Sequence, residues 1–128
     1  MTPPAPTVLV VGSMAFDDLE LPSGRFADVV GGAATYAALA ASRRARVRVV
    51  AVVGDDFPAA ALDDLSRRGI DTVGVTRATG KTFRWAGRYS ADLGSRTTLD
   101  TQLNVFADFR PVVPPAFRTT SPPCSALA

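Results

Sequence analysis

Two short segments carry the residue types that could hold a small polar molecule. In Gly12-Ser13-Met14-Ala15-Phe16-Asp17 a carboxylate follows an aliphatic run, the place where ligands of open α/β sheets bind. An ionised Asp17 could accept hydrogen bonds from two neighbouring hydroxyls. Gly31-Gly32 precedes an alanine-rich stretch, and glycine lets a ligand approach the backbone where a helix start presents N–H donors. Each segment also has a plainer reading. Asp18 and Glu20 follow Asp17 as they would in an exposed acidic turn, and two glycines suffice for a tight strand-to-helix turn. The two segments together favour a site that binds hydroxyl groups, with Asp17 as the preferred contact.

Other chemistries are excluded by what the chain lacks. There is no histidine and only one cysteine, Cys124, so Cys/His nucleophile pairs, zinc-ligand clusters and an intrachain disulfide framework are ruled out. Gly80-Lys81-Thr82 suggests a phosphate loop, but Gly74 lies one residue too far upstream for the G-x-x-x-x-G-K-[ST] spacing, and a strand pattern follows it. No G-x-G-x-x-G follows any strand, which removes the main sign of a dinucleotide-binding domain. The net charge of +2 is spread over scattered arginines with no dense basic patch, so nucleic acid is not an expected partner. Residues 1–6 lack the basic start and apolar run of a signal peptide, and no apolar run reaches membrane-spanning length; a cytoplasmic protein is expected.

The elements that must position these residues are readable from the hydrophobic pattern. At 128 residues with 47% apolar content the chain can form one domain with a core. Thr7 to Val11 and Val47 to Val53 are aliphatic runs of the kind buried on both faces of a parallel sheet. Met14 to Val30 is interrupted at Pro22-Ser23-Gly24 and reads as two strands joined by a turn. Ala33 to Arg44 is an alanine-dominated helix with cations at its end, expected to lie close against the sheet. Asp56 is a plausible N-cap for a second helix, with Pro58 in its first turn and Gly69 as its left-handed stop. Ile70 to Val75 gives a further strand, completing a strand–helix alternation.

From Thr82 the pattern changes. Phe83, Trp85, Gly87 and Tyr89 alternate with Thr82, Arg84, Ala86 and Arg88, and a second extended run from Arg96 to Phe106 makes this a twisted hairpin. With the Met14 to Val30 excursion it could form a small accessory sheet, a lid. Residues 1–6 are expected to be disordered. Beyond Arg118, residues 119–128 are Pro/Ser-rich and show neither period, so a disordered or out-of-frame tail is expected.

The ordered set of Gly12-Ser13 with Asp17, Gly31-Gly32 opening an Ala-rich helix, Val52-Val53-Gly54-Asp55-Asp56-Phe57, Arg68-Gly69-Ile70-Asp71 and the hairpin resembles PfkB/ribokinase-family carbohydrate kinases from Val8 to about Arg118. The resemblance implies the N-terminal half of a ribokinase-like three-layer αβα fold with a β-lid, spanning residues 7–118 with lid segments at about 14–30 and 82–106. It implies a parent enzyme that transfers the ATP γ-phosphoryl group, with Mg2+, to a hydroxyl of a sugar or nucleoside. On this reading Asp17, Gly31, Gly32 and Ala33 contact substrate hydroxyls, with Tyr36 beside them; Arg84 and Asn104 in the hairpin are further candidates, and either could equally be an ordinary cross-strand partner. Ala15 and Tyr36 stand where many ribokinase-like members have asparagine, which makes ribose itself a poor fit. Tyr36 could stack on or hydrogen-bond a different substrate, or pack under the lid. The family's G-A-G-D-like catalytic turn occurs nowhere in these 128 residues, so this chain by itself is expected to be inactive. The alternative is a non-catalytic binding or dimerisation module, since lids of this kind can pair between subunits.

Overall fold

Thr7–Val11 (β1) and Arg46–Val53 (β4) form the centre of a parallel sheet because both are nearly continuous β-branched runs that tolerate burial on either face. In the computed structural model the described residues are 6–118 and 124–127. Between these strands lie Ala15–Leu21 (β2), Gly24–Gly31 (β3) and the helix Ala33–Ala41 (α1). After β4 come Ala59–Arg67 (α2), Ile70–Arg77 (β5), Phe83–Tyr89 (β6) and Arg96–Gln102 (β7). Two short 3-10 helices, Asn104–Asp108 and Pro115–Phe117, and the strand Cys124–Leu127 (β8) follow.

The strands divide into two sheets. One is parallel, in the order β5-β4-β1-β8; the other is the lid, in the order β3-β2-β6-β7. Within the lid, β2 pairs antiparallel with β3 and parallel with β6, and β6 pairs antiparallel with β7. Alternation along β4 separates the two faces of the parallel sheet. Val47, Val49, Ala51 and Val53 pack under both helices with Ala34, Ala38 and Leu65, whereas Val50 faces Leu9 and Phe117 on the other side. Ala34 and Ala38 are fully buried, so α1 presses its backbone against the sheet as its composition predicts. The far face is covered by the segment carrying Phe109, Val113 and Phe117. Phe117 is 2% exposed, with the Arg48 guanidinium over its ring at 5.3 Å.

Several local expectations change. Helix α1 stops at Ala41, with the Ser42 hydroxyl donating to the Leu39 carbonyl and the Arg44 N–H closing a tighter turn on Ala41. Asp56 does not cap α2. Pro58 takes the N-cap position, and Asp56 turns instead to Thr82, accepting from its N–H at 2.9 Å and its hydroxyl at 2.7 Å. The second hairpin strand ends at Gln102, because Asn104 adopts φ 51 and starts a 3-10 turn. Gly69, at φ 82, ends α2 as expected.

The ends differ as well. Pro6, expected to be disordered, accepts the Arg46 N–H at 2.8 Å. Cys124–Leu127, expected to lie in an unstructured tail, pairs parallel with β1 from Val8↔Cys124 to Val11↔Leu127. A free edge of a parallel sheet offers a full row of N–H and C=O groups, and extended backbone of almost any composition can take them. The remaining residues of both predicted tails, 1–5, 119–123 and 128, lie outside the described residues.

Candidate functional site

The site starts at the junction of the two sheets. After β1 the chain turns through Gly12-Ser13-Met14, with Met14 completely buried, and enters β2, whose third residue is Asp17. Strand β3 returns alongside, so Gly31 pairs with Ala15 and Val29 with Asp17. Gly32, at φ 94, then turns the chain into α1.

Both glycines are there for space. A Cβ on Gly31 would collide with Asp17 Oδ2 and stand 2.8 Å from its Cγ. A Cβ on Gly32 would stand 2.5 Å from the Ser13 carbonyl oxygen and 2.9 Å from Met14 Cα. The glycine pair therefore serves the turn and the carboxylate together, where the sequence allowed either.

Asp17 is 9% exposed. Its one hydrogen-bond donor among the described residues is the Tyr36 hydroxyl, at a long 3.4 Å, and no described arginine or lysine forms an ion pair with it. Burial pushes the Asp17 carboxyl above its ordinary range, with the Tyr36 hydrogen bond pulling the other way. The Tyr36 hydroxyl is raised by its own burial and then by the Asp17 charge. A buried carboxylate with one weak donor has acceptor capacity left, and the arrangement can take two hydroxyl donors from a ligand.

A cleft of about 450 Å³ opens beside it, lined by Ser13, Ala15, Asp17, Leu19, Gly32 and Ala33 on one side and Tyr36, Phe83, Trp85, Tyr89 and Arg96 on the other. Asp17, Gly32, Ala33 and Tyr36 of the expected site residues thus line one cavity, and Gly31 lies directly behind the Asp17 carboxylate. The start of α1 is less available to a ligand than its sequence suggests. The Ala33 N–H already donates to Ser13 Oγ at 3.0 Å and the Ala34 N–H to the Ser13 carbonyl at 2.9 Å.

Arg84 and Asn104 are placed elsewhere. Arg84 sits on the opposite face of the lid, with Nη1 2.9 Å from Asp18 Oδ1 and 2.6 Å from Asp28 Oδ1 and its guanidinium over the Phe16 ring. The hydrogen bonds that Arg84 donates to Asp28 and then to Asp18 raise its pKa despite burial. Burial raises Asp18, but the Asp28 N–H and Arg84 outweigh it and hold its carboxyl below the ordinary range. Asn104 donates its side-chain amide to the Thr82 carbonyl at 3.0 Å, fastening the 3-10 turn to the start of β6. Even-numbered β6 positions point away from the cleft, a consequence of period-2 alternation that could have been applied to Arg84 from the sequence.

Ser13 and Arg96 were not singled out by sequence reasoning. Arg96 reaches the cleft because it pairs with Tyr89 across the hairpin, and residues opposite each other share a face. The hairpin register held that signal. Ser13 gave none beyond its place after Gly12.

Among the described residues no group of three or more His, Cys, Asp or Glu side chains could hold a metal ion, and no helix is long and apolar enough to cross a membrane.

No protein-family model matches the chain, and no curated protein sequence matches it. Among solved structures it is similar to ribokinase from Cryptococcus neoformans var. grubii serotype A in complex with ADP, with a TM-score of 0.67 at 22% identity over 80% of this chain and 35% of that one. It is similar to a PfkB family carbohydrate kinase from Listeria grayi, with a TM-score of 0.64 at 22% identity over 80% and 35%. A nucleoside kinase from Methanocaldococcus jannaschii, described as an archaeal member of the ribokinase family, gives a TM-score of 0.60 at 16% identity over 80% and 38%. The chain therefore has a ribokinase-like fold and spans about a third of the length of these kinases.

Proposed function

We propose that this chain is the substrate-binding portion of an ATP-dependent kinase that phosphorylates a hydroxyl of a sugar or nucleoside, and that Asp17 holds the substrate by accepting two of its hydroxyls. The observation that carries this reading is the state of Asp17. Its carboxylate is buried, has no ion-pair partner among the described residues and faces a cleft of ligand size. Such a group costs stability unless donors arrive to satisfy it, and ligand hydroxyls are suitable donors. Gly31 makes room for the carboxylate, Ser13 and Gly32 set the turn beside it, and the lid supplies the opposite wall.

The proposal for ATP and Mg2+ belongs to a whole kinase of this fold. Solved neighbours include structures described with ADP or ATP bound. Among the described residues no group of three or more acidic side chains comes together, and no magnesium ligand is assigned to this chain. The sequence also lacks a Gly-Ala-Gly-Asp-like anion hole, so no phosphoryl-transfer step is assigned to this chain.

Titration calorimetry with a panel of sugars and nucleosides tests the binding role. At least one should bind, and Asp17→Ala should weaken it by about 2–3 kcal/mol, the cost of removing a charged acceptor of hydroxyl bonds. Equal affinity in the variant contradicts the assignment.

A second reading, a non-catalytic module that pairs with another copy through the lid, is favoured by one observation. Phe26 and Leu99 are 46% and 43% exposed and line a shallow hollow with Ala27 and Ala86 on the lid's outer face. A stable dimer by light scattering that Phe26→Ser disperses supports that reading; a monomer at all concentrations removes it.

A further inference from the structure

The inner face of the lid is laid out by strand register. Asp17 pairs with Trp85 and Leu19 with Gly87 across β2 and β6, while Gly87 pairs with Thr98 and Tyr89 with Arg96 across β6 and β7. Partners in register share a face, so the carboxylate and the indole stand side by side on the wall of the cleft. Trp85 and Gly87 are two residues apart on β6, and the indole lies over the glycine. A Cβ at Gly87 would stand 2.5 Å from Cζ2 and 2.7 Å from Cζ3 of that ring. The missing side chain lets the indole lie flat against the sheet.

The ring's polar group is also accounted for, because Trp85 Nε1–H donates to Thr98 Oγ1 at 3.2 Å. The π face that Gly87 does not back carries the Arg96 guanidinium, 5.4 Å from the ring centroid, so a ligand stacked on the indole takes the guanidinium's place. Along the strand the wall runs from Phe83 to Tyr89, roughly 20 Å at about 3.3 Å per residue. That is longer than a single sugar ring, and a cleft of about 450 Å³ is in the size class of drug-sized ligands.

We infer that the cleft takes a nucleoside in preference to a free sugar, with the ribose hydroxyls on Asp17 and the base stacked on Trp85 in the place the Arg96 guanidinium now holds. This rests on the reading of Asp17 as a hydroxyl acceptor. A planar base fits a flat indole whose N–H is already satisfied, and stacking is tolerant of base identity because every base has a π face. A free sugar would leave most of the aromatic wall uncovered.

Trp85 is the sole tryptophan, so its emission reports stacking directly. The chain is titrated with adenosine, uridine and ribose, following tryptophan emission and taking affinities by calorimetry. Both nucleosides should quench the emission and bind about tenfold more tightly than ribose, within what one base–aromatic stack supplies. Trp85→Ala should weaken the nucleosides about tenfold more than it weakens ribose and so remove that preference, while Trp85→Phe should retain most of it. Where Trp85→Ala fails to fold by circular dichroism, Thr98→Val, which frees the indole N–H, should reduce the preference instead. Ribose binding as tightly as the nucleosides overturns the preference and leaves the Asp17 reading in place. A preference that survives these variants overturns the role of the indole, and binding of none of the three ligands overturns both readings.

Discussion

Gly31 and Asp17 compete for the same space: a Cβ placed on Gly31 would collide with Asp17 Oδ2 and stand 3.0 Å from the Tyr36 hydroxyl oxygen. The two residues belong to neighbouring strands, β3 and β2, and the carboxylate reaches its position only because the glycine has no side chain.

Gly31→Ala should therefore damage the site as well as the fold. Overpacking at this junction should destabilise the chain by about 1–3 kcal/mol in urea denaturation. The same variant should lose the ligand binding that depends on Asp17, because the carboxylate must swing away. Retention of full affinity would mean that the carboxylate is not held where the structure places it.

Asp17→Asn should stabilise the chain at neutral pH while weakening ligand binding. The sign follows from linkage. Burial raises the folded-state pKa above its ordinary value of 3.8, so the folded state binds the proton more tightly than the unfolded one. Stability from this group is fully present below pH 3.8 and is lost as pH rises through the raised folded-state value. The variant's advantage should thus be largest at neutral pH and should vanish in acid, as measured by denaturant midpoints across pH. An advantage that grows toward low pH has the wrong sign.

Thr82→Val tests the joint between the parallel sheet and the lid. Thr82 is 1% exposed; its hydroxyl accepts the Gly54 N–H at 2.8 Å and donates to Asp56 Oδ1 at 2.7 Å. Valine keeps the shape but leaves the Gly54 N–H unpaired, which should cost about 1–3 kcal/mol. Thr82→Ser should recover most of it, and a neutral Thr82→Val would show that the joint carries no such bond.

These outcomes bear on how much of the molecule was legible from its sequence. The strands at Thr7–Val11 and Arg46–Val53 and the helix at Ala33–Ala41 were readable because local pattern and tertiary burial agree there. Asp17 and Gly31 were readable as neighbours because β2 and β3 form a hairpin that returns the glycine beside the carboxylate; their role toward a ligand is the proposal above. Asp56 misled because an N-cap is a local preference, and a buried threonine 26 residues away outbid it. Arg84 stood between a ligand contact and a cross-strand partner, and its even position on β6 sends it to Asp18 and Asp28. Cys124–Leu127 has no strand pattern of its own and takes its form from the open edge of β1.

Arg84→Met should loosen the lid. Arg84 is bonded to β2 through Asp18 and to β3 through Asp28, which sits at φ 56 with its N–H on Asp18 Oδ1. The groups are partly exposed, so the global cost should not exceed about 1 kcal/mol. The local effect should be larger: amide exchange in β3 should speed up, and the Asp18 pKa should rise toward its ordinary value. Unchanged exchange in β3 would show that pairing with β2 alone holds the strand.

The most direct measurement of the account follows the Asp17 side-chain carboxyl carbon by NMR through a pH titration, first in the free chain and then with adenosine or ribose at saturation. The free chain should titrate above 3.8, as burial dictates, and the ligand-bound chain at lower pH, because hydroxyl donors favour the ionised carboxylate. A midpoint that stays in place while the ligand is bound would show that no hydroxyl reaches Asp17, and the proposed substrate site would be contradicted at its central residue.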